Sequence, residues 1–546
     1  MPPHVSAGRL HALCATGSAE PGNGAFVSMS FKWMLIGVAV LGALAAANCL
    51  VVTSHWGVGV TTDSVRYIAA ARHLSGGAGL ITHAGTPLVK HAPLYAVLLA
   101  AVDRAFGIDP LVSARFVGAL LMGAVVCVAG LLMLGHLRRS PWLAFLSVAL
   151  LAFAGPLFQT ATTAWSEPLF LLFALLCLLG IESYVRRGDA RSLALTAAAA
   201  ALACLTRYVG GALVLTGVAC ILFLGRRSRS VRRKHALAFV LISSIPVTLW
   251  LLRNYLLSGT LLGARPESPL TLWGNVERAF TVALGWFAYG RTAGRLTVAG
   301  VLVAVLAALA AFGARGRWER ARGRLVELAP VLLFAVIYGA VLTASAAVAK
   351  SDKVSTRLLS PVFVPVVLAL AVLVQGAITS GPFRWGRKLV NVVATALFVV
   401  LMLGPVGLTA LLVSRYAEDE GVGLNSAVWR GRLTAARLVE LERAAPAAAV
   451  YSNEPEALYF LSGVVTKKIP VKWQHQAVDG GLDLSALVGA WPPEGSARLV
   501  WFIGQNRPRR FTVPELMRVA ELDAVARLGD GVIYDVRRGA AAGRGH

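Results

Sequence analysis

Runs of about twenty apolar residues recur along this chain, and a run of that length spans a bilayer core as a helix. Phe31–Thr53, Ala236–Leu256 and Leu389–Ser414 are examples. Lipid satisfies no backbone polar group, so such runs must fold as hydrogen-bonded helices. Only 14% of the residues are charged, against about 25% in soluble globular domains. The chain is therefore expected to be a polytopic membrane protein.

The formal net charge is +25, which in a soluble protein would point to nucleic acid. Here the arginines sit in short clusters between apolar runs, the signature of cytoplasmic loops. Nucleic acid is excluded as a partner on that ground, and membrane lipids are expected instead. The six cysteines form no CxxC or Cys/His spacing, and five lie in apolar runs. They read as small packing residues.

The basic clusters set the topology. They are Arg138-Arg139, Arg186-Arg187-Arg191, Arg226 to Lys234, Arg315 to Arg324, and Arg384-Arg387-Lys388. Each should face the cytoplasm, so an even number of crossings separates neighbours. Roughly eleven spans result, near 33–53, 113–135, 141–157, 168–184, 192–206, 208–225, 236–257, 294–313, 326–347, 358–378 and 389–413. Residues 1–30 read as a disordered cytoplasmic tail, and 31–414 as the membrane domain with a large outer loop at 54–112. Residues 415–546 form a soluble domain outside the cell membrane. An odd number of spans places the N-terminus in the cytoplasm. The segment 270–290 has apolar residues at helical spacing with Glu277 and Arg278 on another face, as in a helix lying in the outer interface.

Beyond 415 the pattern changes. Ala447–Tyr451, Leu499–Ile503 and Gly531–Val536 read as strands, and Pro455–Leu461 and Pro514–Leu522 as short helices. The expected fold class is an α-helical polytopic membrane protein with a small C-terminal α/β domain.

Two acids stand at outer helix mouths, where a carboxylate can act as a general base. Asp63 lies in Thr62-Asp63-Ser64-Val65-Arg66-Tyr67, and Glu167 in Trp165-Ser166-Glu167-Pro168. Each has a bland alternative: Asp63 as the N-cap of a helix over 64–74, Glu167 as a first-turn acid favoured by the helix dipole. Basic residues gather on the same side, against the positive-inside rule: Arg66, Lys90, His91, Arg207, Arg253, Arg265, Lys350, Lys353 and Arg357. A phosphate at the membrane surface would suit their guanidinium forks; snorkelling to headgroups is the alternative for any one of them. No cluster of oxygen ligands supports a divalent metal.

These motifs occur in a telling order. Asp63-x-x-Arg66-Tyr67 resembles the first outer loop of GT-C glycosyltransferases, within them the protein O-mannosyltransferase and aminoarabinose-transferase-like group. Lys90-His91-Ala92-Pro93-Leu94-Tyr95 is similar to that group's Lys-Pro-Pro-Leu-Tyr. Ser166-Glu167-Pro168-Leu169-Phe170, Leu205-Thr206-Arg207-Tyr208, Arg253-Asn254-Tyr255 and Arg357-Leu358-Leu359-Ser360-Pro361 follow in order. The resemblance covers roughly residues 31–414. Two departures stand out: Ser64 replaces a frequent second acid, and the lysine is displaced to Lys90, leaving Lys90 or His91 for its role. Tyr451 to Tyr459 resembles the tails of some uncharacterised bacterial members and adds no chemistry.

The resemblance implies an inverting membrane glycosyltransferase. It would move a sugar from a polyprenyl-phosphate donor to a lipid, glycan or protein acceptor at the outer face of the cytoplasmic membrane. Asp63 would be the base, with Glu167 orienting a substrate or sharing that role. Arg66, Lys90, His91, Arg207 and Arg357 would bind the donor phosphate. The rival readings are a lipid-linked saccharide flippase, which should show repeats and midplane charges, and a non-catalytic assembly protein.

Overall fold

The structure is a computed structural model that describes residues 24–263, 265, 268, 270–287, 318–348, 353–380, 384–472, 483–505 and 510–539. The expected span at 294–313, most of the expected tail and Lys350 lie outside the described residues.

Seven described helices are long and apolar enough to cross a membrane. They belong to α1 (Gly24–Val52), α4 (Pro110–His136), α7 (Glu167–Arg187), α10 (Arg229–Ser258), α12 (Trp318–Val348), α13 (Thr356–Ser380) and α14 (Arg384–Glu418). The pair α5 (Pro141–Ala152) and α6 (Gly155–Ala161), bent by 46°, passes the same test only when its two helices are taken together as one broken span. The spans expected at 192–206 and 208–225 are the shorter α8 (Ala190–Thr206) and α9 (Gly211–Leu224). At 17 and 14 residues they reach or fall below the lower limit for a full crossing, about 17 residues. The chain breaks between them because Arg207 is extended, with φ −152°, and a single 3₁₀ turn follows.

Small residues let the helices close up. A Cβ on Gly42 would stand 2.8 Å from the Gly123 carbonyl oxygen, and one on Gly123 would stand 2.9 Å from that of Gly42. α1 and α4 therefore cross backbone to backbone, the usual way membrane helices gain packing energy where no hydrophobic drive acts between them. A continuous apolar core runs from α1 through α14. The basic clusters at 138–139, 186–191 and 226–234 fall at one end of this bundle. There His136 Nε2 lies 2.8 Å from Glu182 Oε1, and Arg227 donates to the Gly188 carbonyl at 3.1 Å.

The other end carries a layer of loops and short helices. The first loop folds into α2 (Thr62–Ser75) and α3 (Leu94–Phe106) over their own apolar cluster. Its leading segment, Val58–Val60, makes isolated bridges to two distant segments. Gly59 exchanges backbone hydrogen bonds with 162–164, and Val60 with 422–424. The amphipathic segment expected at 270–290 forms α11 (Leu272–Trp286).

The C-terminal part holds α15 (Leu433–Ala444), α16 (Pro455–Ser462) and a five-stranded mixed sheet in the order β2-β1-β3-β5-β4. The strands are β1 (Val450–Ser452), β2 (Thr466–Lys468), β3 (Ser496–Phe502), β4 (Ala520–Leu528) and β5 (Gly531–Arg538). β1 is parallel to β2 and β3; β5 runs antiparallel to β3 and β4. The three expected strands and the helix at 455 are present. The helix expected over 514–522 is not. Only Val513–Leu516 is helical, and Ala520 begins an edge strand. Its Ala, Glu and Leu favour helix, but the Gly529-Asp530 turn folds it back as a hairpin on β5.

Candidate active site

Three carboxylates and three guanidiniums interlock where the first loop meets the helix mouths. The segment 58–60 delivers the chain to Thr61, which caps α2: its N–H donates to Ser64 Oγ at 3.0 Å. Trp165 Nε1 donates to Thr61 Oγ1 at 2.8 Å, tying the two loops together. Asp63 is therefore not the N-cap that the sequence allowed. It sits in the first turn with its carboxylate turned to the arginines. Ser64, in the place of the family's frequent second acid, is buried in the capping box.

Asp63 Oδ2 accepts from Arg357 Nη1 at 2.9 Å, and Asp63 Oδ1 lies 3.2 Å from Arg66 Nη1 and 3.6 Å from His91 Nε2. Arg357 also forks to Glu167, bridging both acids, and stacks 4.3 Å over the Trp165 ring. Arg207 pairs with the same Glu167 oxygen. Glu167 is thus not an open-mouth acid. It is 1% exposed, in the first turn of α7, between two guanidiniums. Its second oxygen, Oε2, is buried with no hydrogen-bond partner among the described residues. Tyr67 packs 5.1 Å from the His91 ring and exchanges a 3.1 Å hydrogen bond with Ser166.

Burial opposes ionisation of Asp63. The positive charges ranged against it, from His91, Arg357 and Arg66, outweigh burial and hold its carboxyl well below the usual range. His91 moves the other way: burial, reinforced by Arg66, pushes it down to about 4 although Asp63 resists. With the imidazole neutral near pH 7, the two guanidiniums dominate Asp63 there.

Segment 88–91 is held by its backbone. Arg253 Nη1 donates to the Leu88 carbonyl at 2.8 Å, and Tyr208 Oη to that of Val89 at 2.9 Å. Asn254 Nδ2 reaches Val89 O at 3.4 Å and Leu261 O at 3.1 Å, while Arg265 reaches Lys90 O at 3.0 Å. Arg253 and Arg265, read from sequence as anion candidates, here spend donors on the loop that presents Lys90 and His91. Lys90 is exposed at the rim, its stem packed against Gly263. Lys353 is exposed as well. The site thus gathers Asp63, Arg66, His91, Glu167, Arg207 and Arg357, with Lys90 beside them.

One member came without a sequence signal. Glu456, in the first turn of α16, accepts from Arg66 Nη2 at 2.6 Å. The tail, expected to add no chemistry, puts a carboxylate against the Asp63-x-x-Arg66 motif. Burial works against its ionisation, but Arg66 and His83 hold its carboxyl below the ordinary range. The junction is sealed by Val60, Val65, Ala69, Leu424, Ala457 and Tyr459. Among the described residues no three His, Cys, Asp or Glu side chains form a group that could hold a metal ion.

The family model for dolichyl-phosphate-mannose-protein mannosyltransferases matches residues 90–250. The fold carries the likeness over nearly the whole chain. ArnT from Cupriavidus metallidurans bound to undecaprenyl phosphate superposes with a TM-score of 0.57 at 14% identity, covering 93% of this chain and 98% of that one. Its apo form gives 0.54 at 13% identity over the same shares. An oligosaccharyltransferase from Archaeoglobus fulgidus gives 0.50 at 13% identity, covering 85% of this chain and 68% of that one. No curated protein matches the sequence. The resemblance read from the ordered motifs is thus supported by both the family model and the fold.

Proposed function

We propose that this protein is an inverting glycosyltransferase that moves a sugar from a polyprenyl-phosphate donor to a lipid, glycan or protein acceptor at the outer face of the cytoplasmic membrane. The observation that carries the reading is the convergence of Arg66 and Arg357 on Asp63 beside the Lys90 rim. The ArnT structure with undecaprenyl phosphate supports the donor class. The arginine clusters at 138–139, 186–191 and 226–234, at the opposite end of the helices from this site, support that orientation.

In the proposed step the acceptor oxygen attacks the anomeric carbon from the face opposite the phosphate. Its proton passes to Asp63, and the bond between that carbon and the phosphate oxygen breaks. The leaving polyprenyl phosphate keeps the electron pair, and Arg66, Arg357 and Lys90 meet the growing charge. Arg207 acts from behind, through Glu167. Because His91 is neutral near pH 7, Lys90 is the cation for the role left open between them, and His91 packs beside the base.

A carboxylate held far below neutral is a weak base, since efficient bases titrate near the working pH. Donor binding cures this. A phosphate that draws Arg66 and Arg357 toward itself adds negative charge and removes positive charge at Asp63. Both effects raise its pKa. The base becomes competent only when the donor is in place. Glu167, locked between guanidiniums, positions Arg357 rather than sharing the proton transfer.

The test compares lipid and glycan masses of a deletion strain with wild type, complemented by the intact gene or by Asp63→Asn. A species one glycosyl unit lighter, restored only by the intact gene, is expected. Unchanged profiles, or full rescue by Asp63→Asn, would remove the proposal.

A further inference from the structure

The guanidiniums of the site are already engaged: Asp63, Glu167 and Glu456 pair with Arg66, Arg207 and Arg357, while Lys90 and Lys468 stand beside them. An arriving phosphate must compete with those carboxylates for a guanidinium fork. A carboxylate that gives way frees a fork for it. Asp63 and Glu167 sit on α2 and α7, and Glu167 is sealed. Glu456 differs in three respects. It stands on α16, in the C-terminal part of the chain. It meets Arg66 end-on through a single 2.6 Å contact. Its partner Arg66 is the most exposed of the three paired arginines, at 28% against 16% for Arg207 and 12% for Arg357.

Resting on the donor reading above, we propose that Glu456 occupies the donor-phosphate position on Arg66 in the empty enzyme and is displaced when the donor binds. The C-terminal part of the chain thereby owns a residue of the donor site. A side-chain carboxylate and a phosphate oxygen pair make the same charge-assisted contact with a guanidinium fork. Exchange of one for the other leaves Arg66 satisfied throughout. Occupancy by Glu456 reduces apparent donor affinity by the fraction of molecules in which Arg66 is already taken. The His83 ring lies 6.1 Å from Tyr459, on the next turn of α16, so the released carboxylate remains beside the first loop.

The test measures binding of undecaprenyl phosphate to the full-length protein in nanodiscs, for wild type, Glu456→Gln and Glu456→Asp. Gln removes the competing charge, and Asp retains it but shortens the reach by one methylene. The expected result is about tenfold tighter binding for Gln and a smaller gain for Asp, both with wild-type elution on gel filtration. Asp serves alone if Gln does not fold. Wild-type binding with equal or weaker binding by the variants would overturn the displacement and leave the donor reading standing. No binding by any form, wild type included, would overturn the donor reading itself and the displacement with it.

Discussion

Asp63 shows how neighbours decide what a residue type means. As an N-cap it would be replaceable by Asn at little cost. Thr61 holds that post, so Asp63→Asn tests charge and basicity alone. Loss of a general base costs about a hundred- to ten-thousand-fold in rate, and turnover of Asp63→Asn should fall by that much. Undecaprenyl phosphate should bind it at least as tightly as wild type, because a negative charge beside Arg66 and Arg357 is gone. Parallel loss of binding and turnover, measured on the same folded sample, would assign Asp63 a structural role. The residue was legible in sequence because its motif is contiguous with Arg66. Glu456 was not, because 390 positions separate it from Arg66 and no local pattern announces a partner that distant.

At the scale of elements, the loop 88–91 is the informative case. Sequence placed Arg253, Arg265 and Lys90 on one side of the membrane and drew an anion site from all three. The structure divides them: two hold backbone carbonyls, and the third stands at the rim. Charge counting could not see this, because a guanidinium satisfies a carbonyl as readily as a phosphate. Asn254 is the sharpest probe of the clamp. It is fully buried and donates to two carbonyls. Asn254→Ala removes the donor to the Leu261 carbonyl and leaves the Val89 carbonyl with Tyr208 alone, and each lost hydrogen bond costs about 0.5–1.5 kcal/mol. Asn254→Asp should be worse than Ala, because a carboxylate would face the same carbonyls with no proton to give. Thermal unfolding in detergent ranks the variants, and an Asp variant more stable than Ala would discard the clamp. Element type failed in sequence only at β4. There a hairpin partner overrode helix propensity, and the Gly529-Asp530 turn was the missed signal.

For the molecule as a whole, periodicity and arginine placement foretold a polytopic helical protein with a mixed α/β tail. Span counting was less secure, because α8 and α9 are apolar yet short, and apolarity alone does not measure depth. The sidedness proposed for the chain has a direct check. Alkaline phosphatase fused at residue 440 should be active, and a green fluorescent protein at the same point dark in the cytoplasm. The opposite pair of results would invert the topology and move the site to the cytoplasmic face.

The segment Val58–Val60 bridges to 422–424, far along the chain. A ribosome adds about 5–20 residues per second. The 390 residues between Arg66 and Glu456 therefore take about 20–80 s to appear. For that interval Arg66 is without its late carboxylate, and for most of it the segment 58–60 lacks its 422–424 partner. The nascent protein must pass this time with an unfinished site, so the last stretch of translation completes the first loop it made.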